Sequence, residues 1–114
     1  MNITSQPASP VRVLEGQPLT LQWTFSVTNT FLRVKFALSG SSLNLIEASP
    51  GSPSVIGKEF RGRVTASSTK TNATFTFSSM NRIDTASYVL VVIDIDNEFA
   101  IASLQLIVLC KYKL

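Results

Sequence analysis

The segment Asp84–Leu90, DTASYVL, opens the longest apolar run of the chain, which continues as VVIDI to Ile95. Tyr88, Leu90 and Val92 fall on one parity of an extended chain, and Val89, Val91 and Ile93 fall on the other. A strand with one wet face alternates apolar and polar residues, so a run that is apolar on both parities reads as a strand with two covered or contact-making faces. One parity belongs to a core. What the other parity meets is the question the chain poses.

Outward from this run, period-two patterns recur and helical periods are scarce. LTLQWTF sets Leu19, Leu21, Trp23 and Phe25 against Thr20, Gln22 and Thr24. FLRVKFAL sets Leu32, Val34, Phe36 and Leu38 against Arg33, Lys35 and Ala37. ATFTFSSM alternates Phe75 and Phe77 with Thr74 and Thr76, and SLQLIVL closes the series. Turn-forming clusters separate the runs: EGQP, SGSS and SSTKTN. The Pro/Gly/Ser-rich Ser49–Gly57, SPGSPSVIG, reads as a loop leading into a fourth strand. Many short strands with regular turns predict an all-β, two-sheet sandwich, and the absence of internal repeats or linkers predicts one domain over residues 1–114.

Composition removes several functions. The 114 residues contain no histidine and one cysteine, Cys110, so His-dependent triads, Cys-cluster zinc sites and internal disulfides are excluded. None of the five glycines forms a phosphate-binding loop, and no cofactor is expected. The net charge of +3 is spread over the chain, with Arg61/Arg63 and Lys111/Lys113 as the only close clusters. Nucleic-acid binding wants a concentrated basic face, so none is expected. The polar start lacks the apolar core of a signal peptide, and the apolar end, LQLIVLCKYKL, is too short to span a bilayer. Any membrane attachment would come from other parts of a longer chain.

The residue pattern resembles an immunoglobulin V-set domain along nearly its whole length. The family's sixth strand carries Asp-x-Ala/Gly-x-Tyr-x-Cys, matched here by Asp84, Ala86 and Tyr88, with Leu90 in place of the cysteine. Trp23 falls where the first cysteine would sit, and Phe36 where the core tryptophan would. FRGRVTAS is similar to the fourth strand, and its Arg63 matches the arginine that pairs with the aspartate of the sixth-strand motif. Tyr88 matches the tyrosine-corner position, and Phe75, Phe77 and Met80 match the apolar positions leading into it. The resemblance implies a Greek-key sandwich without the inter-sheet disulfide. A bridge closing a loop of that length would contribute about 4 kcal/mol in chain-entropy terms. Burial of a Trp and a Leu contributes about 2–3 kcal/mol each, enough to offset it.

The sequons Asn2-Ile3-Thr4 and Asn72-Ala73-Thr74, the second placed in a loop between strands, favour N-glycosylation and an extracellular setting. With Tyr88 and Leu90 inward, Val89, Val91 and Ile93 form an outward aliphatic stripe, which marks an interaction surface. Arg33 and Lys35 on the third strand, Leu43, Leu45 and Glu47 in SLNLIEAS, and Phe99 and Ile101 on the last strand are expected around it. Asp94, Asp96 and Glu98 are expected to form a solvated loop, with too few fixed oxygens for calcium. Cys110 continues the even spacing of Leu104, Leu106 and Val108, which predicts a buried thiol or, alternatively, a bridge to a further domain. The expected partner is protein. V-set domains at receptor tips commonly bind a copy of themselves, and V-set-like domains without the cysteine pair resemble those of cnidarian allorecognition receptors, which recognise self homophilically on opposing cells. The alternatives are a heterophilic receptor domain and an intracellular immunoglobulin spacer. No nucleophile–base pair supports an enzyme.

Overall fold

The computed structural model describes residues 2–27, 30–41 and 44–110, apart from the side chains of Phe31 and Leu32. Leu43, Lys111 and Lys113 lie outside the described residues. Among the described residues ten strands form two sheets: β1 (Asn2–Ser5), β2 (Val11–Leu14), β3 (Leu19–Ser26), β4 (Phe31–Leu38), β5 (Asn44–Ser49), β6 (Ser52–Ile56), β7 (Val64–Ser68), β8 (Asn72–Phe77), β9 (Ala86–Asp94) and β10 (Phe99–Leu109). The back sheet has the order β1-β3-β8-β7 and the front sheet β2-β10-β9-β4-β5-β6. The chain crosses to the front sheet and back again between β1 and β3. β1 pairs antiparallel with β3, a cis Ser9–Pro10 bond follows, and β2 joins the front sheet parallel to β10.

The alternation of β3, β4, β8 and β10 aims one parity of each strand into a shared core. Trp23 is 1% exposed, Leu90 0% and Phe36 1%. The Trp23 ring lies 6.0 Å from Phe36 and 5.7 Å from Phe75, centroid to centroid, and Phe36 stacks on Tyr88 at 5.0 Å. Leu90 is the register partner of Phe36. Apolar groups thus pack the centre of the core, in offset and edge-on arrangements that aromatic pairs prefer.

The base of the sandwich is held by one network. Arg63 donates Nη1 to Asp84 Oδ2 at 2.9 Å and Nη2 to Oδ1 at 3.1 Å. It also donates to the carbonyls of Ser79 (3.0 Å) and Glu59 (2.9 Å). The Asn81 amide donates to Asp84 Oδ2 at 2.8 Å, and the Tyr88 hydroxyl to the Asp84 carbonyl at 2.6 Å. The hydrogen-bonded Asp84 carboxylate holds the Arg63 guanidinium above its ordinary pKa against the opposing effect of burial. The network fixes Asp84, in the one-turn 3-10 helix Arg82–Asp84, just ahead of β9.

Burial, followed by the nearby Asp84 charge, pushes the Tyr88 phenol up to about 12. An unfolded tyrosine titrates near pH 10, so the stability linked to this group is complete below about pH 10 and is lost as pH rises through 12. Alkaline titration followed by tyrosinate absorbance and circular dichroism should show Tyr88 ionising together with unfolding. In Tyr88→Phe that coupled step should vanish, whereas an unchanged alkaline transition would contradict the assignment.

Three expectations are corrected. Ser49–Gly57 is no plain loop: Ser52–Ile56 is the edge strand β6, hairpinned to β5 through Pro50 and Gly51, the latter at φ +74°. Pro53 is tolerated because an edge strand has one unpaired side. Asn72 is not in a loop; it is the first residue of β8, opposite Thr24. Cys110 is exposed. β10 ends at Leu109, whose carbonyl is taken by the Glu15 amide, and alternation carries no inward meaning once the ladder stops.

Candidate protein-binding face

β9 lies between β4 and β10 at the centre of the front sheet, so its second parity forms the middle of the outer face. Val89, Val91 and Ile93 are all half-buried there. The register sets Arg33, Ile93 and Phe99 in one cross-strand row and Val89 between Ala37 and Ser103 in another. The middle row crosses five strands: Val55, Glu47, Lys35, Val91 and Ile101. Its ends are open, with Val55 65% and Ile101 55% exposed, and Phe99 beside them is 62% exposed. Val55 was hidden in the Pro/Gly/Ser-rich segment; only the pairing of β6 with β5 brings it onto this face.

Leu45 does not belong to it. Expected outward from the parity of Glu47, Leu45 is 2% exposed and part of the core. Lys35 pairs with Glu47 and Phe36 with Ile46, but Ala37 pairs with Asn44, leaving Leu45 as an extra, bulged residue. A bulge re-aims side chains at its position, and here it turns two successive residues, Leu45 and Ile46, inward. Gly57 approaches the bulge closely: its amide donates to the Leu45 carbonyl at 2.6 Å, and a Cβ at Gly57 would sit 2.9 Å from that oxygen.

The charges on the face are available. Lys35 and Glu47 are register partners yet form no ion pair; Glu47 Oε1 instead accepts from Asn44 Nδ2 at 3.0 Å. The Arg33 Nε is covered and makes no hydrogen bond among the described residues. An unpaired, desolvated donor is costly.

The acidic loop differs from its expectation. Asp94 is 0% exposed and its Oδ1 accepts the amides of Asp96 and Glu98, each at 2.9 Å. Asn97 adopts φ +62°, a left-handed conformation that asparagine tolerates. The carboxylate therefore shapes the β9–β10 turn. No group of three metal-ligating side chains is assembled among the described residues. A cleft of about 440 Å³ beside β6 and β7 is lined by small side chains, Ser49, Ser54 and Ser68 among them, with no ionisable group.

No family model and no curated protein matches the sequence. Solved structures do match. The NK cell receptor Nkp44, described as a triggering partner in natural cytotoxicity, superposes with a TM-score of 0.68 at 18% identity, covering 90% of this chain and 99% of its own. The swine CD8aa homodimer superposes with a TM-score of 0.73 at 10% identity, covering 92% and 96%. The fold is that of an immunoglobulin V-type domain. At these identities the likeness establishes architecture alone. Among the described residues no helix is long and apolar enough to cross a membrane.

Proposed function

We propose that the chain is an extracellular receptor recognition domain that binds a second copy of itself through its front sheet, as in recognition of self between opposing cells. The observation that carries this reading is the middle row. From β6 to β9 it runs apolar, acidic, basic, apolar: Val55, Glu47, Lys35, Val91. A two-fold axis between β4 and β5 reverses the row, so that Val55 meets Val91 and Glu47 meets Lys35 in both directions. A surface that is its own complement under a two-fold is what an isologous contact requires. The aliphatic stripe of β9 packs beside the axis against the Val55 edge of the other copy, and the charge pairs next to the axis set orientation and specificity. The cysteine-free core, shared with the receptors named in the resemblance above, supports the self-recognition setting, and the receptor fold and the sequons support the extracellular one. Catalysis has no support in the residues of the face or the cleft.

Bead aggregation or analytical ultracentrifugation tests the proposal. Val91→Glu places a charge against Val55 of the other copy and should abolish self-association while leaving the thermal midpoint within about 2 °C. Lys35→Glu and Glu47→Lys should each weaken association at least tenfold by opposing like charges, and the double variant should recover it. If Val91→Glu still associates as the parent does, the homophilic reading is wrong. If association is lost only with Val91→Glu and never with the charge reversals, the face stands and the axis position is wrong.

A further inference from the structure

The outer face of the back sheet is the chemical opposite of the front. Its rows Thr20–Thr76–Thr65 and Gln22–Thr74–Ser67 are neutral and hydrogen-bonding throughout. Such a face lacks the aromatic and charged anchors on which protein contacts depend. Both sequons open onto it. Strand periodicity sets Asn72 with Thr74 on the outward parity; in β1 the register shifts between Ile3 and Ser5, yet Asn2 and Thr4 are both exposed and the Thr4 hydroxyl reaches that of Thr24 on the same face. Asn2 is the partner of Ser26 and Asn72 of Thr24, so the two asparagines flank β3 at the same end of the sandwich. The Thr4 and Thr24 hydroxyls bond to each other at 2.9 Å between them. Strand spacing and rise put the two asparagines roughly 12 Å apart.

We infer that Asn2 and Asn72 both carry N-linked glycans, which together cover the back sheet and leave the front sheet as the single contact face. The inference rests on the extracellular placement proposed above, but not on self-association. In each sequon the asparagine and its threonine share one face, so the first sugar lies over the hydroxyl ladder. The ladder satisfies such a layer with hydrogen bonds, and a carbohydrate layer is hydrated and bulky enough to exclude a protein partner. Asn2 and Asn72 lie near the β9–β10 turn, away from Cys110 where β10 has ended. The glycans are therefore rooted at this end of the back sheet and extend over it.

The test is expression of the chain behind a secretion leader in glycosylating cells. Enzymatic release of the glycans in ¹⁸O water followed by peptide mass spectrometry reads each site. Labelled aspartate is expected at both positions, and Asn2→Gln or Thr4→Ala, and Asn72→Gln or Thr74→Ala, should each remove one glycan. The threonine variants keep the asparagines and so guard against misfolding of a single replacement. Self-association should be the same, within twofold, for the glycosylated chain and for the Thr4→Ala/Thr74→Ala chain. Occupancy at neither site, or at only one, overturns the inference; so does self-association that appears only after the glycans are removed. If neither form associates while both sites are occupied, the homophilic reading falls and the glycan assignment stands.

Discussion

Replacing Trp23 with alanine is expected to lower the stability of the domain by about 4 kcal/mol, within the range for removal of a fully buried aromatic. The indole is 1% exposed and touches Phe36 and Phe75, one on the opposite sheet and one on its own. No covalent bridge ties the sheets, so once the ring is gone the direct Phe36–Phe75 contact, 5.3 Å between centroids, is left to join them at this level. The cavity would open between Phe36, Phe75 and their neighbours, whose strands are fixed by long ladders and can collapse only in part. Trp23→Phe should cost less than half as much. Trp23 is the single tryptophan of the chain, so unfolding must be followed by far-ultraviolet circular dichroism in urea. A loss under 1 kcal/mol would show that the core does not depend on this substitute for the bridge.

Asp84→Ala should cost about 3 kcal/mol. The Asp84 side chain is 6% exposed and that of Arg63 is 20% exposed, so the pair lies nearer the buried than the surface limit. The substitution removes a bidentate acceptor and strands the Asn81 amide. It leaves Arg63 with two backbone carbonyls, which keeps the loss toward the lower end of the range for breaking a buried pair. Asp84→Asn retains one acceptor oxygen and should cost about half as much. Thermal melts at neutral pH decide it, and a midpoint equal to the parent's would remove the network from the account of the fold.

The architecture was legible because its signals are local and redundant. Alternation in β3, β4 and β8, together with the spacing of Arg63, Asp84, Tyr88 and Leu90, points to one sandwich. The face was legible where strands were regular: Val89, Val91, Ile93, Arg33, Lys35, Glu47 and Phe99 all fall on it. It failed at Leu45, because a bulge is a property of two strands in register and leaves no mark on either alone. Val55 was missed for a related reason. Pro50, Gly51 and Pro53 are turn signals, and only pairing to β5 decides that the residues between and after them form an edge strand. Cys110 shows the limit of parity, which predicts burial only while a neighbouring sheet exists to bury against.

The early change of sheets has a mechanical side. β2 runs parallel to β10 over Val11–Leu14 and Leu106–Leu109, so once β1 has been peeled from β3 the two outermost strands along the chain point the same way. Tension drawn through the chain from one end to the other pulls these strands lengthwise past each other. Their four register pairs then carry the load together, in shear, instead of opening one after another as a hairpin does. A short ladder arranged this way resists a pull better than its length implies, and it guards a core that has no covalent staple.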